Sequence, residues 1–402
     1  MNFERSVSSA QGAHIPLLLI LSATHFLNDM MQSLIPAVYP IIKQAYALDY
    51  GQIGLITLTF QVTASLLQPA VGYVTDRRPM PYSTVVGMLF TLCGLIGLAF
   101  ASSYPLLLLA AASVGLGSSI FHPEATRMAR NASGGRQGLA QGIFQVGGQS
   151  GSAVGPLLAA FIIVPRGQSS LSWFAVAALI AIILMVWSAG RHTAVRRRAE
   201  QSKARSNTVQ PSPHSPAVVA LALTILIVLL FSKNAYTASF TSFYTFYLMG
   251  QFNVSLQSSQ MMLFLFLASS AAGVLVGGII GDRIGRQRII WFSILGALPF
   301  TLMLPYANLF WTGVLTVIIN LIMASAFASI LIFAMELLPH RVGMIGGLFY
   351  GLTFGLGGVA AAMLGQLADS IGIDRVYQLC SFIPIVGLLA VFLPPLHSEW
   401  RG

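Results

Sequence analysis

Apolar runs of about 18 or more residues recur along the whole chain, separated by short polar stretches. That pattern predicts segments that cross a bilayer. Twelve such runs are read, at roughly 15–42, 52–75, 82–103, 105–129, 138–164, 171–190, 217–248, 257–281, 288–307, 310–336, 342–370 and 376–394. Each is predicted to be helical. Lipid offers no hydrogen-bond partner to an open backbone, and the runs are too long for barrel strands. The first run is longer than a signal-peptide core and leads into a multispan pattern, so it is expected to act as an uncleaved anchor.

Composition sharpens this picture. Of the 402 residues, 56% are hydrophobic and only 8% are charged, against about 25% charged in an ordinary soluble domain. The net charge is +10. Its distribution argues against a nucleic-acid partner, because the basic residues sit in short loops between apolar runs. With the N-terminus placed in the cytoplasm, Arg5, Arg77, Arg78, Arg127, Arg130, Arg136, Arg191, Arg196, Arg197, Arg198, Lys203, Arg205, Arg283, Arg286, Arg288, Arg341 and Arg401 fall inside, 17 of the 21 Lys and Arg. Lys43, Arg166 and Arg375 fall outside, and Lys233 lies within a run. The positive-inside rule then places both termini in the cytoplasm. Segment 191–216, rich in Arg, Ser and Pro, reads as a basic cytoplasmic linker between residues 1–190 and 217–402, each a six-helix bundle. Cys93 and Cys380 both lie in apolar runs and read as packing residues, not metal ligands.

The two parts repeat. Gly72-Tyr-Val-Thr-Asp76-Arg77 follows the second run, and Gly278-Ile-Ile-Gly-Asp282-Arg283 follows the eighth, 206 residues later. Arg136-Gln-Gly138 leads to Gly142 and Phe144; Arg341-Val-Gly343 leads to Gly347 and Phe349, 205 residues later. Two landmarks agreeing within one residue argue for duplication of a six-span unit, an arrangement found in transporters.

These landmarks resemble the major facilitator superfamily over essentially the whole chain. Its loop signature, Gly-x3-Asp-Arg/Lys-x-Gly-Arg-Arg/Lys, is matched by Gly278, Asp282, Arg283, Gly285 and Arg286; the first copy matches through Arg77 and then departs into Arg78-Pro79-Met80-Pro81. In span five, Gly142, Gly151, Gly155 and Pro156 match the family's antiporter motif, with Ala159-Ala160 in place of its final glycine pair. More closely, His25-Phe-Leu-Asn28-Asp29, Phe121-His122-Pro123-Glu124, Ala132-Ser-Gly-Gly-Arg136 and Phe144-Gln145-Val-Gly-Gly148 resemble the fosmidomycin-resistance type of drug exporter. The resemblance implies a multi-pass protein of the bacterial inner membrane. It also implies that Asp76, Arg77, Asp282, Arg283 and Arg286 gate the cytoplasmic side, and that spans one, four, seven and ten line a central cavity. The mid-span-four Arg of many drug antiporters is missing here, so a proton route must use other groups.

Ionisable groups at membrane depth mark function. In span one, His25, Asn28, Asp29 and Gln32 occupy i, i+3, i+4 and i+7, one face of a helix. In span seven, Lys233, Tyr236, Thr237, Thr241 and Tyr244 are read as one face, with Lys233 204 residues beyond Asp29. Lys233 is read as contacting Asp29 or an anionic substrate. In span four, His122 and Glu124 point about 200° apart on a regular helix. Pro123 would let both face the cavity if it breaks the helix. Otherwise Glu124 pairs with Arg127 one turn on.

The resulting expectation is a secondary transporter, and not an enzyme. The chain shows no metal cluster, nucleophile elbow or phosphate loop, and its loops are too short to build an active site. Proton-coupled export of a small, phosphonate-like drug is the reading. Uptake of a sugar, organic acid or phosphate ester by proton symport is the alternative. Asp29, Glu124 and His122 are the candidate proton carriers. His25, Asn28, Gln32, Lys233, Tyr236 and Thr237 are the candidate substrate ligands. The driving force is a proton gradient without a cofactor, the surroundings a lipid bilayer, and the unit a monomer.

Overall fold

A computed structural model describes residues 14–77, 80, 82–133, 137–203, 215–284, 286–338 and 342–394. Those residues form helices throughout. The first set is α1 (Ile15–Ala37), α2 (Tyr39–Ala45), α3 (Tyr50–Arg77), α4 (Ser83–Phe100), α5 (Tyr104–Asn131), α6 (Gln137–Leu158), α7 (Val164–Arg166) and α8 (Ala175–Lys203). The second set is α9 (Pro216–Phe252), α10 (Leu256–Ile284), α11 (Arg286–Leu295), α12 (Leu298–Met303), α13 (Leu309–Ala324), α14 (Ala326–Leu337), α15 (Val342–Ile371) and α16 (Ile373–Cys380). A 3₁₀ stretch, Ile383–Phe392, completes the last apolar run.

Ten of the described segments are long and apolar enough to cross a membrane. Two more, α1 and α10, run among them with 23 and 29 residues. The surface fits a hydrocarbon environment: Leu66, Leu109, Ile183 and Phe310 are among many large apolar side chains that point outward. A water-soluble protein would bury such a belt.

Helix ends follow from local chemistry. Pro36 and Pro40 end the first run early, splitting it into α1 and α2. Asn308 caps α13 by accepting the Trp311 N–H. Asn253, in the left-handed region, ends α9. The basic segment read as a linker from 191 starts helically, since α8 continues to Lys203; residues 204–214 lie outside the described residues. Gly167 (φ 80°) and Gly372 (φ 87°) turn the chain after α7 and α15 in a conformation that favours glycine. They stand 205 residues apart, so the repeat legible in the loops recurs in the backbone.

Because the helices alternate in direction, α1–α2, α3 and α9 share one end with the α15–α16 junction. This far end is opposite the end that holds His14 and the start of α9. There the two sets meet. Gly54 packs on the backbone of Ala361 and Ala362, Gly358 on Leu58, and Gly365 on Tyr50. The Asp369 carboxylate on α15 accepts the Tyr50 and Gly51 N–H groups at the start of α3, at 2.9 and 2.7 Å. The Gln260 amide on α10 donates to the Ala37 carbonyl at 2.7 Å.

Candidate functional site

The polar stripe of α1 does not face lipid. His25, Asn28 and Gln32 are all buried. The Nδ1 of His25 lies 2.8 Å from the Phe144 carbonyl on α6, and its ring stacks on Phe144 with centroids 4.0 Å apart. This approach depends on Gly148, one turn beyond Phe144: a Cβ there would run into the His25 ring. Gly151 lies against the Phe26 carbonyl and Gly155 against Ser33, again with no room for a Cβ. The small residues of the span-five motif therefore set the distance between α6 and α1. Gly142 has open space around its Cβ position and takes no part. Pro156 lines the cavity described below.

Asp29 gathers the neighbouring polar groups. Its Oδ2 is 3.2 Å from His25 Nε2, and its Oδ1 is 3.4 Å from His122 Nε2 on α5. The Asn28 amide donates to Oδ1 at 2.9 Å. A backbone carbonyl only accepts, so the Phe144 contact assigns a proton to His25 Nδ1. The nitrogen left to face Asp29 then meets the carboxylate as a hydrogen bond only if one further proton lies between them, on imidazolium or on carboxylic acid. Otherwise two lone pairs oppose each other. His122 has more freedom. Its Nδ1 is 3.0 Å from the Ser118 carbonyl and 3.1 Å from the Ser118 hydroxyl, which can donate or accept. The three atoms His25 Nε2, Asp29 Oδ and His122 Nε2 converge within 4.8 Å of one another, the spacing of a small cation site.

α5 stays helical through Pro123. Of the two alternatives read at Pro123, the break is absent, and His122 and Glu124 leave opposite sides of the helix. Glu124 is buried and pairs with Arg127, away from Asp29. Among the described residues, the ion pairs of Asp29 are with the two histidines.

A cavity of about 190 Å³ lies between the two sets of helices. Asp29, Gln32 and Ser33 of α1, Tyr39, Thr57, Phe60 and Gln61 of α2 and α3, and Ser152 of α6 line it from one side. Thr241 and Ser242 of α9, with Leu263 and Leu267 of α10, line it from the other. The lining differs from the four spans that the resemblance implied, since spans two, five and eight contribute and His122 joins only through Asp29. Close packing of α3 on α15 and of α6 on α10 encloses the cavity near those helices.

The single face read on span seven divides in two. Lys233, Thr237 and Thr241, spaced by four, are half-buried, and Thr241 lines the cavity. Tyr236 and Tyr244 turn away into an aromatic stripe with Phe240, Tyr247, Phe266 and Tyr377. Tyr236 Oη has no hydrogen-bond partner among the described residues. Sequence reading missed Tyr39, Thr57, Gln61 and Ser242. A signal was present: Thr57, Gln61, Ser65 and Gln68 form a polar stripe at helical spacing in an apolar span. On the gating layer, the side chains of Asp76, Arg77, Asp282 and Arg283 lie outside the described residues. Arg286 pairs with Glu336 at 3.1 Å, a contact within the second set.

Two sets of long apolar helices around a shared polar cavity, with ionisable groups at membrane depth, define a membrane transporter. The family model of the Major Facilitator Superfamily matches residues 21–362, and the chain belongs to that superfamily. It is similar to the fosmidomycin resistance protein of Escherichia coli (strain K12), 55% identical over 93% of this chain and 91% of that protein. It is also similar to the uncharacterized MFS-type transporter YfnC of Bacillus subtilis (strain 168), 38% identical over 99% and 98%. Among solved structures, a bacterial homolog of the human lysosomal transporter Spinster, inward-facing and occupied, matches with a TM-score of 0.70 at 15% identity, covering 94% of each chain. That match supports the fold.

Proposed function

We propose that this protein is a proton-coupled antiporter that exports a small phosphonate antibiotic of the fosmidomycin kind by alternating access. In this reading it crosses the bacterial inner membrane twelve times with both termini in the cytoplasm, works as a monomer, and opens its far end to the outside. The observation that carries the reading is the His25–Asp29 contact, which needs a proton to exist. Asp29 takes up that proton when the cavity faces out and releases it when the cavity faces in. Loss of the proton sets a bare nitrogen against a carboxylate and breaks the contact. Proton binding thereby favours one facing state, and the gradient biases the populations. His122 shares the charge on Asp29. Glu124, tied to Arg127, braces α5. Lys233 and Thr237, two turns and one turn before the cavity-lining Thr241 on α9, attract the anionic substrate, while Asn28 and Gln32 supply amide contacts. The similarity to a fosmidomycin resistance protein supports the substrate and the direction.

The test is drug susceptibility in an efflux-deficient bacterium expressing the chain, Asp29→Asn or His25→Ala. Resistance to fosmidomycin in the wild type, abolished in both variants at equal membrane expression, is the expected result. A wild type that confers no resistance removes the export reading. Full resistance with Asp29→Asn removes Asp29 as the proton carrier.

A further inference from the structure

Three hydroxyls form a chain across the boundary between the two helix sets. Tyr39 Oη and Thr57 Oγ1 are 2.7 Å apart. Thr57 Oγ1 and Ser242 Oγ are 3.3 Å apart. Tyr39 and Thr57 belong to the first set and Ser242 to the second. All three are more than nine-tenths buried, and all three line the cavity. The chain is therefore both a wall of the cavity and a bond between the sets.

Its two links are unequal. The Tyr39–Thr57 bond lies at the usual O–H···O length, whereas the Thr57–Ser242 bond lies beyond it. The weaker link is the one that crosses between the sets. It also faces the space a transported molecule would fill. The other polar bonds between the sets at the far end, from Asp369 and Gln260, end on backbone groups, and neither residue lines the cavity. A cavity ligand thus reaches the hydroxyl link first. The cavity also holds a second donor waiting for an acceptor: Gln32 is buried, lines the space, and its Nε2 has no partner among the described residues. These hydroxyl and amide donors suit a ligand carrying acceptor oxygens, and Gln61 Oε1, also lining the cavity and without a partner among the described residues, suits a hydroxyl on the same ligand.

We propose that Tyr39, Thr57 and Ser242 are the substrate sensor of the far gate: an acceptor oxygen of the transported molecule replaces one partner in the Thr57–Ser242 bond and so releases α9 from α3. This rests on the alternating-access reading above. It adds that recognition and gate release share one bond. An empty cavity then keeps the far end shut, and only a molecule with suitably placed oxygens opens it.

The experiment measures far-end separation by spin labels on Gln44→Cys and Gln251→Cys, both exposed positions, in a full-length Cys93→Ser, Cys380→Ser background. The probe is fosmidomycin. The wild-type background should show a short distance when empty and gain a longer one with the probe. Thr57→Val and Ser242→Ala should populate the long distance when empty, by about threefold to tenfold for the loss of one buried hydrogen bond. The probe should then add little. Thr57→Ser, which keeps the hydroxyl, should behave as wild type and shows that the site still folds. Variants that stay short when empty and open with fosmidomycin like the wild type overturn the sensor. So does a wild type that confers resistance yet shows no opening with the probe. Failure of the export reading is a separate result, seen as absence of resistance in wild-type cells.

Discussion

At the scale of single residues, two carboxylates in packed helices, Glu124 buried and Asp29 half-buried, carry different duties. Asp29 faces histidines that can gain or lose a proton, whereas Glu124 faces a guanidinium that cannot. Neutralising each should therefore have opposite signatures. Glu124→Gln removes one charged partner of the mostly buried Arg127 and should cost about 1–3 kcal/mol of stability, with transport per folded molecule largely kept. Asp29→Asn keeps the hydrogen-bonding shape and should leave thermal stability near wild type while abolishing proton-driven transport. Melting curves beside pH-jump transport in proteoliposomes separate the two. Reversed signatures would transfer the proton to Glu124. The sequence supplied both carboxylates and the stripe containing Asp29. It could not choose between the roles of Glu124, because that choice depends on whether Pro123 breaks α5, and neighbouring helices keep α5 continuous.

Whole elements explain why the span-five motif matters and where it does not. Its glycines were legible as a spacing, but spacing does not say which helix they touch. The contact is with α1, and it differs position by position: Gly151 meets the Phe26 backbone, while Gly142 meets nothing within 4 Å. Gly142→Ala should therefore leave expression and resistance near wild type, aided by better helix propensity. Gly151→Ala forces α6 from α1, at about 1–3 kcal/mol for overpacking, and should also pull the Phe144 carbonyl from His25. Reduced resistance at matched expression is the expected outcome, and equal behaviour of the two variants would make the motif generic packing. Span boundaries were legible where apolar runs meet charges. They failed at 38–42, where prolines divide the run, and beyond 191, where a polar segment continues as helix. Hydropathy measures neither event.

At the scale of the molecule, the far end is held by bonds that reach from one helix set to the other, and nothing in the one-dimensional pattern pairs Asp369 with residues more than 300 positions earlier. The Asp369 carboxylate takes two N–H groups at the start of α3, where the helix dipole also favours a negative charge. Charge-assisted bonds are strong when buried, but Asp369 is exposed, and solvent screening lowers its contribution to about 1 kcal/mol. Removing it should therefore tilt the closed–open balance without unfolding either set. Asp369→Ala is expected to raise the open population about fivefold, read from the same Gln44 and Gln251 labels, with the melting temperature little changed. The Asp369 and Ser242 contacts act on one equilibrium from separate places, so their effects should multiply in the double variant, as independent sites do. If each single variant opens the far end but the double opens no further, the two bonds report one local rearrangement and the far end is not a cooperative gate. Multiplied populations would mean that the cavity and the rim hold the same door from two sides, which is what substrate-triggered release across a membrane requires.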